Sequence, residues 1–298
     1  VIALALLLQL QVAGPVQVTG QVLRVVEGDS VPAASARVTL HRVGEVVQGA
    51  VDSTITGADG RFTFRARVDS GDVLLASARW HGVEYFAEPV VSGVPVRVMV
   101  ADTSSTARVI VAARHVIIGG PAPDGARDVV DLIVLRNPGS LTRAVGDSAH
   151  DGSWEMQLPP LVANVQIGDA DFAADAFDLH GDTLILFAPI PPGERQFFLQ
   201  YQIAPGARSL RIPFTDLVDT VSILAEESNI TVPDRFVLQG METVSGRSFS
   251  RWSGAGILEV VEIEFPGDGS LPDWILPALV LLIALPLAWV TWRAVARR

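Results

Sequence analysis

The sequence predicts an all-β fold, with two tandem β-sandwich domains ahead of one C-terminal transmembrane helix. Three observations predict it. Outside its two ends, the chain is a succession of short, Val-rich segments separated by Gly, Pro and Asp-Gly turns, which is the punctuation of strands. No amphipathic helical period of any length interrupts them. From Trp274 to Trp292, 19 positions carry no charge. As a helix they cover roughly 28 Å, close to a bilayer's hydrocarbon core.

Residues 1–12 form an apolar run that ends at Ala13, Gly14 and Pro15. The run is too short to span a bilayer and has the length of a secretory h-region. It has neither an initiator Met nor a basic stretch before it, so residues 1–14 read as a signal-peptide remnant, cleaved near Ala13 or Gly14.

The first domain is expected over 16–101. A strand opens at 18–22, and a turn region follows that closes at Val31-Pro32. Residues 36–40 alternate small or apolar with polar, as a half-buried strand does. A further strand at 52–56 leads into Asp59-Gly60, a tight turn. Beyond it Phe62 and Phe64 share one strand face.

This order, G-x-V, then P-x-x-x-A-x-V-x-L, then T-x-x-D-G-x-F-x-F, resembles the carboxypeptidase regulatory-like domain. The matching positions are Gly20, Val22, Pro32, Ala36, Val38, Leu40, Thr56, Asp59, Gly60, Phe62 and Phe64, within about a third of the chain. The resemblance implies a transthyretin- or Ig-like β-sandwich that is not itself catalytic. It also implies that these glycines and aromatics are structural, so none is carried over as an active-site residue. The stretch Arg79, Trp80, His81, Gly82, Val83, Glu84, Tyr85, Phe86 stands apart. Its aromatics and Arg around a Gly turn are the residue types that favour interfaces, making it a candidate partner-binding hairpin. A structural hairpin with His81 at a solvated tip is the alternative.

The second domain is expected over 105–267, after a linker at 102–105. Strands are predicted at 107–118, 128–135, 153–158, 183–188, 195–203, 209–214, 220–225, 235–241 and 257–265. Arg136-Asn137-Pro138-Gly139 and Pro191-Pro192-Gly193-Glu194 supply strong turns, and Ser245-Gly246 and Ser253-Gly254 read as turn material. Nine strands at this spacing predict a second sandwich.

Composition removes whole classes of chemistry. There is no cysteine, hence no disulfide framework, thiol nucleophile or thiolate metal site. All 22 basic residues are Arg, which excludes Schiff-base lysines and a P-loop. The formal charge of −11 becomes −14 without the three Arg of the tail, and so acidic a body has no electrostatic reason to bind nucleic acid. No zinc spacing joins the five His, and no G-x-S-x-G elbow occurs. Glu226-Glu227 and the pair Glu262 and Glu264 read as strand-end and outward-facing positions. The candidate metal ligands are Asp169, Asp171, Asp175 and Asp178, with His180 and Asp182 close by. Carboxylates this dense suit Ca²⁺, but their spacing lacks the Gly and Glu of an EF-hand loop, and a solvated acidic loop is the plainer reading. No catalytic residue and no cofactor is predicted.

Trp274, Trp289 and Trp292 suit the interfacial belts of a span at 271–292. Arg293, Arg297 and Arg298 in the tail 293–298 mark its cytoplasmic end. The functional expectation is a bacterial, non-enzymatic protein held in the inner membrane by this helix, its body periplasmic or extracellular, with a protein or glycan partner. Two alternatives remain. One is an accessory or assembly subunit of a respiratory or transport complex. The other is an exported hydrolase carrying a regulatory-like domain.

Overall fold

The structure is a computed structural model that describes residues 14–266 apart from 27, 46–47, 69–70 and 147–150. Residues 1–13, the expected span 271–292 and its tail lie outside the described residues. Among those described, no helix is long and apolar enough to cross a membrane, and helix is confined to one 3-10 turn at Ala174–Ala176.

The first unit is built from β1 (Gly14–Val26), β2 (Asp29–Pro32), β3 (Arg37–Val43), β4 (Gln48–Ile55), β5 (Arg61–Val68), β6 (Val73–Trp80), β7 (Val83–Phe86) and β8 (Val96–Val100). Two four-stranded sheets face each other. One joins β2, β1 and β5 with β8 parallel to β1, and the other runs β4-β3-β6-β7. Alternation decides the core: Val18, Val22, Phe62, Phe64 and Val98 from the first sheet pack on Val38, Leu40, Ala76 and Ala78 from the second. The predicted glycines have steric causes. A Cβ on Gly20 would meet the Phe62 ring at 2.3 Å and the Val96 carbonyl at 2.5 Å. Gly60 adopts φ +72°, where a Cβ would meet the Val22 carbonyl at 2.5 Å. Thr56 is buried because its hydroxyl ties two turns together, donating to Ala33 O at 2.7 Å and accepting from Ala36 N at 2.9 Å.

The second unit contains β9 (Thr103–Ser104), β10 (Ile110–Ile118), β11 (Arg127–Asn137), β12 (Thr142–Arg143), β13 (Trp154–Gln157), β14 (Val162–Ala170) and β15 (Phe177–His180). It continues with β16 (Thr183–Leu186), β17 (Gly193–Ile203), β18 (Ser209–Ile212), β19 (Val218–Ala225), β20 (Val237–Val244), β21 (Arg247–Ile257) and β22 (Val261–Glu264). A seven-stranded sheet runs β14-β17-β11-β10-β19-β21-β20. The strands β13-β16-β15 and β18-β22 form smaller sheets, and their apolar residues share one core with the inward side of the large sheet. That core centres on Ile133, Leu135, Leu186, Phe197, Leu199 and Ile212.

In the second unit β9, β12, β14, β15 and most of β21 lie where the sequence predicts no strand. Ser253-Gly254 lies inside β21 instead of forming a turn, and the segment expected at 257–265 is the end of β21, a turn and then β22. Ser245-Gly246 is a turn as expected, with positive φ at both residues (50° and 79°), the signature of a tight hairpin. Glu262 and Glu264 face outward from β22.

Inside this core lies a buried ion pair. Arg114 donates to Asp131 through Nε and Nη2 at 2.6–3.1 Å and through Nη1 to Pro213 O at 3.0 Å. Burial pulls the Arg114 guanidinium down, but the charge and hydrogen bonds of Asp131 outweigh it and raise the pKa. The cavity beside the pair, about 20 Å³, has room for about one water.

Candidate functional site

The candidate hairpin is β6, the turn His81-Gly82, and β7. The turn is tight because both residues take positive φ, 45° and 84°. Strand alternation then divides its side chains. Tyr85 faces inward and is buried, Arg79 and Phe86 face solvent, and Trp80 is half-buried beside the turn.

Three of the five predicted binding residues meet the chain's own passage from the first unit into the second, at Ala101, Asp102 and Thr142. The indole N–H of Trp80 donates to Asp102 Oδ1 at 2.8 Å, and His81 Nδ1 lies 3.4 Å from the same oxygen. Arg24 reaches Oδ2 at 3.1 Å, while the His81 ring stacks on Trp80 at 4.9 Å. The Tyr85 hydroxyl donates to Ala101 O at 2.8 Å and shares a 2.7 Å hydrogen bond with Thr142 Oγ1 of the second unit. Burial raises the Tyr85 pKa, so the phenol stays protonated. The backbone completes the joint: Thr142 N donates to Asp102 O at 2.8 Å, and β9 pairs in parallel with β12. The two sandwiches therefore meet through a hydrogen-bonded junction. Arg79 forms cross-strand pairs with Arg37 and Glu84 on the surface. Phe86 is 62 % exposed, its ring 5.7 Å from that of His41.

Beside this junction is an open groove of about 1060 Å³. One wall is β7, β8 and the chain between them; the other is formed by Asp171, Phe172, Pro189, Pro191, Pro192 and Arg195. Among the described residues, β7 pairs only with β6 and β8 only with β1. Two sheet edges therefore border the groove. Phe86, Val91, Val94 and Met99 are all exposed along it. Such an edge offers backbone donors and acceptors to an incoming extended chain, and alternate side chains can seat in the apolar positions.

The acidic candidates do not converge. Asp169 is exposed on β14, Asp175 sits in the 3-10 turn, and Asp171 Oδ2 accepts from Gln196 N at 2.8 Å. Asp178 accepts from Leu179 N at 2.9 Å and pairs with His180 at 2.9 Å. Among the described residues no three His, Asp or Glu side chains gather where they could hold a metal ion.

Sequence reasoning missed one polar trio. His41 Nε2 bonds Ser77 Oγ at 2.8 Å, and the Ser77 hydroxyl donates to Glu84. Its members lie 36 and 7 residues apart, on β3, β6 and β7, so only strand register unites them. The acid bonds the hydroxyl and not the imidazole, which differs from a nucleophile–base–orienter relay, and Ser77 is fully buried. The trio fastens β7 to its neighbours.

Fold and site together define a two-domain β-sandwich protein with a groove at its junction. No family profile matches the chain, nor does any curated protein sequence. Among solved structures it is similar to native leukotriene A4 hydrolase from Saccharomyces cerevisiae, at 10 % identity and a TM-score of 0.32, over 52 % of this chain and 29 % of that one. The chain thus spans less than a third of that enzyme's length. The major pilin subunit of Bacillus cereus aligns at 12 % identity and a TM-score of 0.20, over 84 % of this chain and 85 % of the pilin. A shaft pilin of Lactobacillus rhamnosus aligns at 10 % and 0.22, over 87 % and 100 %. Likenesses this distant carry no functional argument.

Proposed function

We propose that this chain is a non-enzymatic binding protein of the bacterial inner membrane. It is anchored by 271–292 with its body outside the cytoplasm, and its first unit is a carboxypeptidase regulatory-like module. The groove at the junction is its binding site, and the ligand is an extended polypeptide segment. One observation carries this reading: among the described residues two sheet edges, unpaired on their outer sides, border a groove at the joint of two domains, with Phe86, Val91, Val94 and Met99 exposed along it. Backbone pairing gives affinity to such a ligand, and the pockets beside Phe86 and Met99 give selectivity.

The course of the chain supports an arm-like arrangement. Phe265, near the last described residue, packs under the Arg127 guanidinium at 4.4 Å, at the start of β11. The first unit joins near the other end of β11, where Asn137 holds Leu141 O at 2.8 Å. Ten residue steps of strand separate these ends, about 33 Å. The groove thus lies about that far from where the described chain ends.

The test is affinity capture of full-length, detergent-solubilised protein from its native membranes, comparing wild type with Phe86→Ala/Met99→Asp. Hydrogen exchange on the Val96–Val100 amides accompanies it. The reading expects a stoichiometric partner that slows β8 exchange and is lost from the variant. It fails if the wild type is captured alone, or if the variant retains its partner undiminished. A stoichiometric set of membrane subunits in the capture would recast the protein as an accessory subunit.

A further inference from the structure

The seven-stranded sheet of the second unit has two sides, and only one belongs to a core. On its outward side Ile117, Val130, Leu132, Val134 and Phe198 are half-buried, yet none packs into either hydrophobic core. Register sets them side by side: Leu132 lies between His115 and Phe198, and Val130 lies opposite Ile117. Strands with apolar side chains on both faces are the pattern of a sheet covered on both sides. Among the described residues nothing covers this one.

We propose that this face packs against the same face of a second copy of the chain. Area is the first argument. Six inter-strand spacings and about nine residues of strand give a face of about 29 by 30 Å. That is about 850 Å², against the ~800 Å² per partner of a stable protein interface. Its anatomy also fits, with Ile117, Val130, Leu132, Val134 and Phe198 gathered beside His115 inside a polar rim. The chain's net charge is −11, but rim charge is partly neutralised within each copy, since Arg136 pairs with Asp219 and Arg251 pairs with Glu242 at 3.0 Å. Asp128 accepts from the uncharged amide of Gln202 at 2.8 Å.

The sheet's edges are less suited to association. β20 carries a register break at Leu238/Gly240 with Gly240 at φ 123°, and β14 has two breaks. Bulges of this kind blunt edge-to-edge pairing. A two-fold axis parallel to the strands brings the faces together and leaves both Phe265 ends on the same side.

The chain has no cysteine, so Leu132→Cys introduces a single thiol at the centre of the face. In full-length protein in mild detergent, light scattering is expected to give two chains per particle. Leu132→Glu, with circular dichroism verifying its fold, should halve that mass. A short bis-maleimide should cross-link Leu132→Cys into a dimer, because facing sheets about 10 Å apart lie beyond disulfide reach, while Ser53→Cys, exposed on β4, should not be cross-linked. A monomer at every concentration, with no cross-link through Leu132→Cys, overturns the proposal. If the thiol of that monomer also resists alkylation, the face belongs to another occupant, such as segment 271–292 of the same chain.

Discussion

The indole N–H of Trp80 donates to the carboxylate of Asp102 at 2.8 Å, and Arg24 holds the other carboxylate oxygen at 3.1 Å. Asp102 is the residue where the first sandwich ends, and its own carbonyl accepts from Thr142 N. One residue thus bonds the hairpin tip, β1 and the second domain at once. Tandem domains on a flexible linker would sample many relative orientations. Here the linker's side chain and backbone both have partners, which gives the groove beside it a defined width.

Tyr85→Phe tests that junction. It removes the hydroxyl that Ala101 O and Thr142 Oγ1 share in a buried site. Leaving such groups unsatisfied costs about 1–3 kcal/mol. Urea unfolding should register that loss, and adding Thr142→Val should cost less than the two single losses summed, since the residues share one interaction. Strict additivity would mean the bond does not couple the domains.

Gly20→Ala is expected to destabilise the first domain by about 1–3 kcal/mol, the range for overpacking. The added methyl would meet the Phe62 ring, which can give only by disturbing Phe64 5.7 Å away, and also the Val96 carbonyl, which is backbone. Gly28→Ala is a poor control because its φ is +93°. A suitable one is exposed Ser53→Ala, which should leave the thermal midpoint unchanged.

The strands legible in the sequence were those whose alternation is written in residue type. Residues 36–40, Phe62 with Phe64, and 195–203 each point one set of apolar side chains inward. β21 was illegible because RSFSRWSGAGI has no such rhythm and two glycines; it is a strand because β19 and β20 both pair with it, a tertiary effect that overrides local propensity. β14 was hidden by its irregularity, with Asn164 at φ 52° and two register breaks. The candidate hairpin was legible as aromatics and Arg around a Gly, but the engagement of Trp80 with Asp102 was not. Strand register brings Arg24 and Asp102 together across 78 residues, and no local pattern encodes that. One signal was available for the buried pair: Arg114 and Asp131 each interrupt a β-branched run.

Arg114→Met should cost about 3–5 kcal/mol, because it strands the fully buried carboxylate of Asp131 without a counter-charge. Arg114→Met/Asp131→Leu should recover most of that loss, since replacing both charges by apolar groups of similar volume is often neutral or stabilising. Chemical unfolding of the three proteins decides it. A double variant no better than the single would show that the cavity beside Pro213 needs the polar pair.

His115 gives stability a pH dependence of predictable sign. Its imidazole is half-buried on the outward side of β10, and burial, then the charge of Arg251, lower its pKa below 6.5. Asp131 and Glu242 oppose the shift without cancelling it. As pH falls below 6.5 the unfolded chain takes up a proton that the folded chain still refuses, so stability declines with falling pH. The contribution is complete above 6.5 and is lost between that value and the lower folded pKa. His115→Asn removes the titration, so the thermal midpoint of the variant should fall less than that of wild type between pH 7 and about pH 5. The other four histidines are common to both proteins and cancel in the comparison. Parallel midpoint curves for the two would mean that His115 takes up its proton as readily folded as unfolded.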